Sequence, residues 1–116
     1  TGGGVDIGMN PQLSSLQGLE NLTVVGHELG IWGVGIYNND KLSNLSGLDN
    51  VTTIKSGLFI LGNLALQNLG GLQSLNHISG SLIIWENPLL DNVESLINLD
   101  PILRLMIHGK MQKNIR

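Results

Sequence analysis

Cysteine is absent from this 116-residue chain, which excludes a disulfide framework and any thiolate metal centre. Aromatic residues make up only 3%, so a core has to be filled by Leu, Ile and Val. Charged residues are also scarce, at 13%, about half the usual share. Asn and Gly take their place as polar and turn-forming residues. Six basic against nine acidic residues leave a net charge of −3. No basic face is available to neutralise phosphates, so no nucleic-acid partner is expected. Arg104, Lys110, Lys113 and Arg116 read as a solvated tail. No run reaches the roughly 18 apolar residues of a membrane span, and no secretory leader pattern is present. Membrane insertion is therefore not expected. The chain opens on Thr1 rather than Met, which reads as a processed or excised piece.

Signatures of catalysis are also missing. His27-Glu28-Leu29-Gly30-Ile31 begins like HExxH, but Ile31 stands where the second imidazole is needed and Gly30 argues against the helix that would align the pair. No GxSxG or GxGxxG occurs, and the nine acids are scattered rather than clustered. No enzyme, metal or cofactor is expected.

What the chain does have is a period. Asn39, Asn63 and Asn87 are 24 residues apart, and aliphatic residues follow each at every third position. They are Leu42, Leu66 and Leu90; Leu45, Leu69 and Val93; Leu48, Leu72 and Leu96; Val51, Leu75 and Leu99; and Ile54, Ile78 and Ile102. An earlier copy runs from Asn10 through Leu13, Leu16, Leu19 and Leu22 to Val25. A short alternating stretch precedes each Asn: Val5/Ile7, Leu58/Ile60 and Leu82/Ile84. Such alternation turns one side inward. One repeat cannot bury its own leucines, so the expected fold is all-β, a solenoid of 24-residue coils joined by a short parallel sheet. Asn10, Asn39, Asn63 and Asn87 are assigned a structural role, a side-chain amide ladder that satisfies the backbone of each corner.

The pattern L-x-I-x-x-N-x-x-L-x-x-L-x-x-L-x-x-L/V-x-x-I-x-G-x-L-x-I, carried from about Val5 to Ile107, resembles the receptor L domain of the insulin and epidermal growth factor receptor superfamily. That resemblance implies a leucine-rich right-handed β-helix whose sheet face contacts ligands. Without cysteines or a recognisable cap, the sequence points to a microbial surface member. On this reading residues 1–116 form one solenoid domain, a fragment of a longer repeat protein, with coils starting near Val5, Leu29, Leu58, Leu82 and Leu105.

One interval is irregular. Asn10 and Asn39 are 29 residues apart, so five residues are inserted. Two registers compete. Leu29 and Ile31 as the inward pair keep the spacing from Val25; Val34 and Ile36 keep the spacing to Asn39. The first is preferred, with a bulge or loop through Gly33–Gly35.

With the inward residues fixed, their neighbours point out of the sheet. The outward positions hold Trp32 or Tyr37, then Phe59, Leu61, Ile83, Trp85, Met106 and His108. A sheet face that met only water should be polar there. Large exposed apolar patches mark binding surfaces. The expected function is a non-catalytic extracellular or cell-surface module that binds protein or glycan through these residues. The alternative is a structural spacer, or a self-assembling section of an adhesin or filament, that buries the same face. Asn21, Asn44 and Asn50 open Asn-x-Ser/Thr sequons, relevant only under eukaryotic secretion.

Overall fold

The computed structural model describes residues 3–26, 32–91, 94–96 and 98–99, and for Trp32 the backbone alone. Within these residues the chain is all-β. Four strands, β1 (Val5–Gly8), β3 (Trp32–Tyr37), β5 (Gly57–Leu61) and β7 (Leu82–Trp85), form a parallel sheet in the order β1-β3-β5-β7. Three two-residue strands, β2 (Val24–Val25), β4 (Thr53–Ile54) and β6 (His77–Ile78), form a second parallel sheet in the order β2-β4-β6. The helical structure among the described residues is one 3₁₀ turn, Glu94–Leu96.

Three successive segments therefore run from a first-sheet strand, through a Leu-rich connection, to a second-sheet strand (β1 to β2, β3 to β4 and β5 to β6), and each pairs through its first-sheet strand with the segment that follows. The three-residue period has a direct cause. Leu13, Leu42, Leu66 and Leu90 donate their N–H groups to the carbonyls of Asn10, Asn39, Asn63 and Asn87, at 3.1, 3.2, 3.2 and 3.0 Å. Leu48 and Leu72 donate likewise to Leu45 and Leu69, and Val51 and Leu75 to Leu48 and Leu72. Successive i+3 to i turns stack every third side chain on one side. Leu42, Leu45, Leu66, Leu69 and Leu75 are wholly buried, in one cluster with Leu58 and Ile60 from the sheet. The columns read from the sequence are therefore core from Leu42 onward, with Leu13, Leu19 and Leu22 partly buried against it; Val93, Ile102 and Leu105 lie outside the described residues.

The register of β3 corrects the preferred reading. Val34 and Ile36 stand opposite Val5 and Ile7 on one side and Leu58 and Ile60 on the other, and they are buried. The pair in line with the neighbouring strands is therefore Val34/Ile36; Leu29 and Ile31 lie outside the described residues. The Gly33–Gly35 stretch is strand, not loop. A register shift falls between Trp32 and Val34, which makes Gly33 the extra residue of a bulge. A side chain there would collide with Ile54 and the carbonyl of Gly57. Gly26 shows where the excess length goes: a Cβ on it would lie 3.3 Å from Gly33 Cα. Gly26 and Gly33 therefore lie close together, and the core columns stay aligned on either side of them. Deleting residues 28–32 restores the 24-residue interval. We expect the deletion variant to keep its denaturant midpoint, with a stability change of no more than about 1 kcal/mol, because the ends it joins already lie close together and only the Trp32–Gly57 pairing of the sheet is lost. Loss of cooperative unfolding would refute this assignment.

Candidate functional site

The outer positions of the first sheet follow from that register. One row is Asp6, Gly35, Phe59 and Ile83; the next is Gly8, Tyr37, Leu61 and Trp85. Trp85 is 53% exposed, while Tyr37, Leu61 and Ile83 are half-buried. These four form the part of the expected surface that solvent reaches. Phe59 does not belong with them: only 9% of its surface is exposed, so it is covered despite its outward position. The expectation of an accessible Phe59 is corrected on that account. For Trp32 the strand position is fixed, opposite Gly57. Met106 and His108 lie outside the described residues.

Tyr37 is held by its surroundings. A Cβ on Gly8 would strike its ring, so the missing side chain of Gly8 is what lets the ring lie over β1. Its hydroxyl donates to Asp6 Oδ2 at 3.4 Å. Asp6 is the one carboxylate at these outward strand positions, and Tyr37 engages it. The face is therefore apolar and aromatic, not acidic.

Beside this face lies a feature that the sequence pattern missed. Met9, Asn38, Gly62 and Glu86 each precede a ladder Asn, and all have positive φ, at 58°, 55°, 66° and 59°. Chain direction changes at this column, where Asn and Gly carry the least strain. Together with Pro11, Asp40 and Leu64, the four line an open cleft of about 520 Å³. Met9 is 71%, Leu64 55% and Leu89 53% exposed. These apolar side chains lie at the turn, outside the alternation used to find the strand face. The usable signal was the recurrent Asn/Gly-tolerant position just before each ladder Asn.

The Asn ladder is present. Asn39 Oδ1 accepts the N–H and Nδ2 of Asn10, at 3.3 and 3.1 Å. Asn63 Oδ1 accepts those of Asn39, at 3.1 and 3.3 Å, and Asn87 Oδ1 those of Asn63, at 3.0 and 3.1 Å. The amides also donate to the strand carbonyls of Ile7, Ile36 and Ile60, at 3.0, 3.0 and 2.9 Å. Asn39 and Asn63 are completely buried, and no buried side-chain polar atom among the described residues lacks a partner. The ladder is consumed by structure.

The sequon asparagines differ in their engagement. Asn50 Nδ2 donates to the Glu20 carbonyl at 2.7 Å, and Asn44 Oδ1 accepts the Ser46 N–H at 2.9 Å. Asn21 is exposed. Among the described residues no group of three or more His, Asp or Glu side chains is arranged to hold a metal ion, and no helix is long and apolar enough to cross a membrane. The chain matches no family model, no curated protein and no solved structure.

Proposed function

We propose that the chain is a non-catalytic interaction module of an extracellular or cell-surface protein, binding a protein or glycan ligand through the outer face of its four-stranded sheet. The observation that carries this reading is Trp85, a large aromatic residue more than half exposed, in a row with Tyr37 and Leu61. Exposed aromatic side chains on a rigid sheet present contact area at small entropic cost, and they are enriched among the residues that dominate binding. The engaged Asp6 and the apolar character of the face favour binding over acid–base chemistry. The architecture that goes with this proposal is a right-handed leucine-rich β-helix, with each strand–connection–strand segment as one coil, as in the receptor L domains the repeat resembles. The 24-residue offsets between β5 and β7 and between β4 and β6 support it.

The test uses Trp85→Ser. The side chain is half in solvent, so the substitution is expected to change stability by no more than about 1 kcal/mol. Phe59→Ser is unsuitable, because Phe59 is covered and its loss would uncover apolar surface. Both proteins are applied to immobilised glycans and to extracellular proteins, after sedimentation has fixed their state of association. A ligand whose affinity falls about tenfold or more in Trp85→Ser supports the module. Ligands bound equally by both proteins count against it. If wild type self-associates and Trp85→Ser is a folded monomer, the face serves assembly, and the spacer or filament reading replaces the first.

A further inference from the structure

Two carboxylates stand apart from the rest, and they share a cleft. Among the described residues the Tyr37 hydroxyl donates to Asp6, the Gly18 N–H to Glu20 and the Gly47 N–H to Asp49. Asp91 and Glu94 also have partners. No hydrogen bond or ion pair reaches the carboxylate of Asp40 or of Glu86 among these residues. Lys41, next in sequence to Asp40, donates instead to Gln12 Oε1 at 2.9 Å. Both free carboxylates line the corner cleft of about 520 Å³, with Met9, Asn38, Gly62 and Leu64. Its walls are fixed. Met9, Asn38 and Gly62 donate their N–H groups to the carbonyls of Tyr37, Leu61 and Trp85, at 3.0, 3.0 and 2.9 Å, and each is followed by a buried or partly buried ladder Asn. Gly62 opens the centre: a Cβ there would strike Asn38 Oδ1, an acceptor that no donor reaches among the described residues. The exposed side chains of Met9 and Leu64 add apolar surface beside these oxygens.

We propose that this cleft docks an arginine side chain carried on an extended segment of a partner protein. Charge complementarity sets the occupant. Two carboxylates and an amide oxygen are acceptors, and a guanidinium offers five N–H groups in a planar fork that stays charged. Met9 and Leu64 suit the methylene stem of the same side chain, which buries its carbons while its head stays at the polar groups. A bare divalent ion is poorly served, because among the described residues no third His, Asp or Glu side chain joins the pair to hold it. A neutral sugar hydroxyl leaves both negative charges unanswered. The four corners belong to four successive segments. A further segment stacked beyond β1 or β7 extends this column, so it does not fill the cleft. Trp85 does not line it, and the inference therefore stands apart from the sheet-face reading.

The test is an anisotropy titration of the intact chain, at low ionic strength, with a fluorescein-labelled peptide in which arginine alternates with leucine and serine. We expect saturable binding that weakens with salt. The same peptide with citrulline for arginine keeps the shape and loses the charge; it is expected to bind about tenfold or more weakly. Asp40→Asn combined with Glu86→Gln is expected to cause a similar loss. Both side chains are exposed, and circular dichroism checks the fold. Glu20→Gln combined with Asp49→Asn removes the same charge elsewhere and is expected to bind as wild type does. Gly62→Asn fills the cleft at a φ that Asn38 already adopts, and it too is expected to weaken binding. The proposal is overturned if the peptide does not bind, if the citrulline peptide binds equally, if the two double variants behave alike, or if Gly62→Asn binds as wild type does. It is also overturned if binding appears only when Arg104, Lys110, Lys113 and Arg116 are changed to Gln, because the chain's own basic residues then hold the cleft.

Discussion

Replacing Asn63 by Leu is expected to lower the unfolding free energy by about 4 kcal/mol, although the two side chains are similar in size. Asn63 is wholly buried. Its Oδ1 takes the backbone N–H and the Nδ2 of Asn39, and its Nδ2 serves Ile36 O and Asn87 Oδ1. Leucine answers none of these groups. Each buried group left unpaired costs about 1–3 kcal/mol, and at least two are stranded where water does not reach. Asn10→Ala is the matched control. Asn10 is exposed, and its loss leaves only Asn39 Oδ1 without its donating side chain; about 1 kcal/mol or less is expected. Urea unfolding of the two variants measures the difference. Equal midpoints would mean that the ladder decorates the corner rather than supporting it.

Gly71→Ala is expected to be worse than Gly18→Ala by about 3 kcal/mol or more, although the two glycines occupy equivalent turns. Both have φ angles that side chains avoid, 117° and 113°, so both variants bear backbone strain of about 1–3 kcal/mol. The surroundings differ. Nothing lies within 4 Å of a Cβ on Gly18, whereas one on Gly71 would run into the carbonyl of Leu45. The cause of that closeness is the bond from Leu45 N–H to Gly70 O, at 2.7 Å, which draws two neighbouring connections together. Alanine at position 71 has to break that bond or push the segments apart. Thermal unfolding of the two variants decides it; similar losses would show that strain alone governs both sites.

Much of the fold was legible because two physical periods were written separately. The leucine columns mark the turn period of three, the Asn spacing marks the repeat, and both became core and ladder as expected. The register of β3 was not legible, since Leu29/Ile31 and Val34/Ile36 both satisfy alternation. What separates them is the closeness of Gly26 to Gly33 and the space that Gly33 leaves for Ile54. Alternation cannot express either. The site was legible in part. Outward positions were read correctly for Leu61, Ile83 and Trp85, and Tyr37 stood there only in the register not preferred; direction is not exposure, and Phe59 is covered. Met9, Leu64 and Leu89 escaped because corners obey neither period.

The buried ladder also bears on how the chain ages. Asparagine loses its amide chiefly when the next residue's backbone nitrogen attacks the side-chain carbonyl. Asn10 and Asn87 are each followed by proline, whose nitrogen carries no hydrogen and is closed to that route. Asn39 and Asn63 are followed by Asp40 and Leu64, but their side chains are completely buried and held by neighbouring segments. The four amides on which the corners depend are thus shielded, two by covalent structure and two by confinement. Chemical wear falls first on exposed asparagines such as Asn21 and Asn76, where a new negative charge meets water rather than the ladder.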